Sequence, residues 1–102
     1  MTNAKKERYR RIRGAILKLL AHEHPEHIDI KVLHFLLDDL GYTMTEEELM
    51  SHLVYLAEPP GECIRIETRK STGVRINMVV ITRRGLNLID GFDKECGVDV
   101  RF

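Results

Sequence analysis

The stretch from Asp29 to Leu56, DIKVLHFLLDDLGYTMTEEELMSHLVYL, constrains the fold more than any other part of the chain. Val32, Leu33, Leu36, Leu37 and Leu40 recur at the spacing of a helix face. Asp29 stands where a short side-chain oxygen accepts from the first orphan N–H groups of a helix. Gly41 follows the last leucine, where a helix C-terminus favours a left-handed stop. Thr45 opens a second helical pattern, and Glu48 completes the spacing of a capping box. Leu49, Leu53 and Leu56 form its apolar stripe, flanked by Met50 and Ala57. The spacing predicts one helix over 29–40 and another over 45–57, linked only by Gly41-Tyr42-Thr43-Met44.

Two helices of this length with so tight a link read as a helix-turn-helix. The motif is most often a nucleic-acid reader, and elsewhere a plain structural corner. An earlier helix is predicted over 4–22, where Tyr9, Ile12, Ile16, Leu19 and Leu20 share one face. Pro25 disfavours helix at His24 and ends it. After the third helix, Glu58-Pro59-Pro60-Gly61 is an abrupt stop. Ile64, Ile66 and Thr68 then alternate with Arg65, Glu67 and Arg69, the period of a half-buried strand over 63–69. Lys70-Ser71-Thr72-Gly73 supplies a turn, and a second strand, rich in β-branched residues, spans 74–81. Thr82 fits an N-cap for a short fourth helix over 82–90. In the tail over 92–102, Phe92, Val98, Val100 and Phe102 are placed to pin it to the domain or to a second copy.

A chain of 102 residues with 43% hydrophobic content fills one domain with one modest core. No apolar run approaches the ~20 residues of a membrane span. The basic N-terminus lacks the apolar segment of a signal peptide. Both features point to the cytoplasm, where Cys63 and Cys96, far apart and without CxxC spacing, stay as reduced thiols.

The formal net charge of zero hides a segregated distribution. Residues 5–18 carry seven cations against one acid, and residues 65–84 carry six against one. Residues 22–62 carry ten acids against Lys31 alone. Such asymmetry bears on partner choice more than the net value does.

The order is helix, helix, turn, helix, hairpin, helix: mainly α with a β-hairpin, an α+β class. Four segments carry a resemblance. They are Ile16-Leu17-Lys18-Leu19-Leu20, Asp38-Asp39-Leu40-Gly41, Leu53-Val54-Tyr55-Leu56-Ala57-Glu58 and Ile81-Thr82-Arg83-Arg84-Gly85. The last is similar to the Leu-Thr-x-x-Gly step of many winged-helix proteins. Over roughly residues 8–91 the chain resembles winged-helix (helix-turn-helix) regulators, and more closely small proteins of Mu-like prophages. The resemblance implies a three-helix core, a two-stranded wing and a short C-terminal helix. It also implies a transcription regulator or an accessory phage protein.

In winged-helix proteins the third helix usually enters the major groove and the wing touches the flanking backbone. Carried over, Glu47, Glu48, Ser51, His52 and Tyr55 face outward, with Ser51, His52 and Tyr55 as base readers. Arg69, Lys70 and Arg75 on the wing, with Arg83 and Arg84 at the fourth helix, contact phosphates of double-stranded DNA. Glu46-Glu47-Glu48 opposes that reading, because three carboxylates repel the backbone. The same acids also suit the first turn of any helix. A second reading therefore makes the acidic helix a protein-interaction surface with no DNA. Arg8 and Arg11 on the first helix could instead meet Glu47 and Glu48 of a second copy, giving a two-fold homodimer. His22, His24 and His27 lie close together, but their spacing fits no tight zinc pattern. No cofactor or catalytic motif is present, and adjacent Asp38 and Asp39 diverge on a helix. The expectation is a non-enzymatic protein.

Overall fold

The computed structural model describes residues 3–95 and 97–100. In chain order the elements are α1 (Asn3–Glu23), β1 (Ile28–Asp29), α2 (Ile30–Asp39), α3 (Glu46–Ala57), β2 (Ile64–Ser71), β3 (Val74–Ile81) and α4 (Arg83–Ile89). Among the described residues, four helices thus combine with a three-stranded antiparallel sheet of order β1-β3-β2. Among the described residues no helix is long and apolar enough to cross a membrane.

The core forms around the second half of α1, where Ile12, Ala15, Ile16, Leu17 and Leu20 are all buried. Leu33 and Leu37 of α2 and Leu49, Leu53 and Leu56 of α3 close on it, with Ile64, Val79 and Ile81 from the sheet. Before Ile12, the side chains of α1 are exposed or half-buried and mostly basic.

The caps predicted from sequence are present. The Lys31 N–H donates to Asp29 Oδ1 at 2.8 Å. The Glu48 N–H donates to Thr45 Oγ1 at 3.1 Å, and the Thr45 N–H donates back to Glu48 Oε1 at 3.2 Å. At the end of α2, Gly41 takes φ +93°, with Gly41 N–H bonded to Asp38 O and Tyr42 N–H to Leu37 O. That double bond is the Schellman motif, which satisfies the last carbonyls of the helix.

Three features differ from the sequence reading. Strand β1 was not foreseen, since two residues carry no periodicity; Ile28 pairs with Val79 and Asp29 with Met78. The hairpin turn is only Thr72-Gly73, both at positive φ, so the ladder runs on to Ser71 opposite Val74. This is the two-residue turn whose twist matches that of the strands. Third, Val32 and Leu40 do not face the core: they are 50% and 57% exposed. In the tail, Val98 is buried and Val100 packs against the core, while Phe92 points outward. Phe102 and Cys96 lie outside the described residues. Cys63 is a buried free thiol, pushed above its ordinary pKa chiefly by burial.

Gly85 fixes how α4 meets the sheet. Thr82 Oγ1 accepts its N–H at 3.2 Å, and a Cβ at this position would collide with the carbonyl oxygen of Cys63 and with Ile81. One obstacle is backbone, so it cannot rotate away. Gly85→Ala should therefore destabilise the fold by about 1–3 kcal/mol through overpacking, read as a lower urea midpoint with an unchanged m-value. Thr45→Ala, which removes half of the capping box, should cost about 1 kcal/mol in the same assay.

Candidate nucleic-acid interface

Three consecutive glutamates open α3, and a helix turns about 100° per residue, so their side chains fan apart. Glu46 borders a cleft of about 340 Å³ with Lys31, His34, Met50 and Arg75. Glu48 turns to the opposite flank and borders a smaller cavity with Tyr9, Arg13, Ser51 and His52. Its carboxylate sits below its ordinary pKa, mainly because it accepts the Thr45 N–H. Glu47 alone shares the middle of the outward face, with Met50, Ser51 and Val54. All three acids are exposed, but the run is divided between two flanks that carry cations and one central position.

This geometry corrects part of the expected reading face. Ser51 is exposed on it, as expected. His52 is not outward: it is 5% exposed, turned toward α1. Arg13 Nε donates to His52 Nδ1 at 3.1 Å, and Tyr9 meets the imidazole edge-on with centroids 5.1 Å apart. Burial, with Arg13 beside it, lowers the His52 pKa from 6.5 to about 4. Tyr55 is partly exposed but held on the same flank. The Arg13 guanidinium lies 3.7 Å from its ring centroid, and its hydroxyl donates to Glu95 Oε1 at 2.9 Å. Val54, which sequence reasoning missed as a surface residue, takes an outward place instead at 39% exposure, while Met50 is half-buried on the flank of the apolar stripe, as expected. The offset from the buried stripe at Leu49, Leu53 and Leu56 contained that signal: His52 lies beside Leu56 on the helix wheel, and Val54 lies opposite it.

The tail completes this flank. Arg13 Nη1 donates to Gly97 O at 3.2 Å, and the Asp99 N–H donates to Arg10 O at 3.0 Å. Gly97 packs so closely on the Tyr55 hydroxyl that a Cβ would overlap it. Burial lowers the Arg13 pKa from its ordinary value, opposed by Tyr55, Glu95 and Tyr9.

The hairpin carries the basic groups on the other side of α3. Lys70 and Arg75 are directly opposed in the ladder, so they share one face of the tip; Arg69, opposite Ile76, points to the other. All three are exposed, and none pairs with an acid among the described residues. Like charges directly opposed weaken a sheet, so packing gives no reason for this arrangement. Arg83 and Arg84 are exposed in the first turn of α4 and border a shallow depression with Arg65 and Ala57, beside the end of α3. The expected dimer residues divide. Arg8 donates to Thr43 O at 3.1 Å and lies over the Tyr42 ring, and Glu48 is held in the capping box. Arg11 and Glu47 are exposed. The histidines do not converge: His27 Nε2 lies 3.0 Å from Glu67, without hydrogen-bond alignment, while His22 lies beside Glu23. No group of three or more metal-ligating side chains occurs among the described residues.

The His52 environment has a pH signature. A folded pKa below the unfolded one means that the unfolded chain binds the extra proton first. Stability is therefore full above about pH 6.5 and falls as pH drops from 6.5 to about 4. In urea melts across this window, His52→Gln, which retains an acceptor for Arg13, should show a shallower loss than the parent. Compared with family models, curated proteins and solved structures, the chain gives no significant match.

Proposed function

We propose that the chain is a winged-helix, non-enzymatic DNA-binding regulator of the cytoplasm, of the kind that its sequence resemblance to Mu-like prophage proteins implies. The element order, with a short strand between the first two helices and a hairpin after the third, supports that assignment. One observation carries the DNA reading: Lys70 and Arg75, directly opposed at the hairpin tip, with Arg69 on its other face, have no acidic partner among the described residues. Arg75 also borders the same cleft as the start of α3, so tip and helix can meet one duplex. The hairpin grips phosphates, and Arg83 and Arg84 extend the basic surface past the end of α3. Sequence preference then falls to the outward face of α3. Ser51 offers a hydroxyl to a base edge, and Val54 an apolar contact for a thymine methyl. Glu47 remains as a repulsive charge on that face and lowers affinity.

The test is fluorescence anisotropy of a labelled random duplex at several salt concentrations. The parent should bind, with affinity falling steeply with salt. Arg69→Ala with Lys70→Ala and Arg75→Ala should weaken binding to all sequences alike. The slope of log K against log salt should then drop by about 2–3. Glu47→Lys should tighten binding and steepen the slope by about 1, without disturbing the capping box. If the chain is instead a protein-interaction module with α3 as its acidic surface, the parent shows no binding even at low salt.

A further inference from the structure

We infer that α2 is a self-association face, on which two copies of this chain pair antiparallel about a two-fold axis through Phe35. Phe35 is 69% exposed, the most exposed large apolar side chain in any helix or strand among the described residues. Val32 and Leu40 are exposed as well, with Leu36 half-buried between them. Residues four apart line up along a helix. Val32, Leu36 and Leu40 therefore form one wholly apolar ridge. The adjacent ridge is Lys31, Phe35 and Asp39: a cation, an aromatic ring and an anion, with the ring midway.

That second ridge identifies the occupant. Neither Lys31 nor Asp39 has a side-chain partner among the described residues. The two charges stand about 12 Å apart, at opposite ends of the exposed stripe. A partner of one sign would satisfy one end and oppose the other. The same helix turned end for end satisfies both: Lys31 of each copy meets Asp39 of its mate, and Phe35 stacks on Phe35. The opposed direction also aligns the two helix dipoles favourably. Leu40 continues the surface into a groove shared with Leu19 of α1, which enlarges the contact beyond α2. A ten-residue helix presents less than the ~800 Å² per partner of a standard interface, so the dimer is weak, in the micromolar range. This inference does not depend on DNA binding. It uses none of the residues Arg8, Arg11, Glu47 or Glu48.

Sedimentation equilibrium of the full chain tests it. The parent should show a concentration-dependent monomer–dimer equilibrium, and Phe35→Asp should be monomeric throughout. Because Phe35 is exposed, that variant should keep its circular dichroism spectrum. Lys31→Glu and Asp39→Lys should each weaken dimerisation roughly tenfold, since each creates two like-charge contacts. The double variant Lys31→Glu/Asp39→Lys should recover the parent's affinity. A parent that stays monomeric up to about 1 mM, the weak end of specific association, overturns the inference. So does a dimer indifferent to Phe35→Asp, or a charge-reversed pair that fails to recover.

Discussion

Burial of α1 over more than half of its circumference is the constraint from which the other contacts follow. From Ile12 onward, Ala15, Ile16, Leu17 and Leu20 point in directions too widely spread for one neighbour to cover. The helix accordingly touches α2, α3, α4 and β3. Its four large buried aliphatics contribute on the order of 10 kcal/mol of transfer free energy before conformational entropy is subtracted. Removing α2, α3, α4 or β3 would uncover part of this pillar. Arg13 stands at its edge, where the guanidinium ties the imidazole and phenol of α3 to the tail carbonyl of Gly97. The roll of α3 follows from its buried stripe, Leu49, Leu53 and Leu56, and Arg13 fastens the flank beside it.

The segregated charge has a local resolution. The acidic run opening α3 conflicts with phosphate binding only while it is treated as one block. Distributed around a helix, Glu46 lies toward Arg75 and Lys31, Glu48 lies toward Arg13 and the helix cap, and one carboxylate remains on the central face. Coulomb energies among exposed groups are modest and screened within ~10 Å at ordinary salt. For any anion approaching this face, the position of each acid around the helix therefore matters more than their number.

Much of the architecture was legible because its signals are local. Asp29, Thr45 and Thr82 cap the helices that their spacing suggested, and the alternation at Ile64, Ile66 and Thr68 marks a strand. What escaped depends on contacts distant in sequence. Strand β1 exists only because β3 offers an open edge. His52 looks like any polar residue on a helix until Arg13, far away in the chain, provides its partner. Val32 and Leu40 fit the helical period of a core stripe, yet periodicity cannot distinguish the face covered by α1 from the arc beside it. The same limit hid Val54 on the outward face.

The two-residue connection at Thr72-Gly73 sets a rule for how this hairpin can vary. Side chains along a strand alternate between faces, so adding or deleting one residue in either strand reverses every position beyond it. Toward the base, such a slip would drive Arg65 and Glu67 into the space of Ile64 and Ile66. Toward the tip, it would separate Lys70 from Arg75. Related chains that keep this architecture can therefore lengthen or shorten the prong only by matched steps of two on both strands. Its reach is quantised at roughly 7 Å per step.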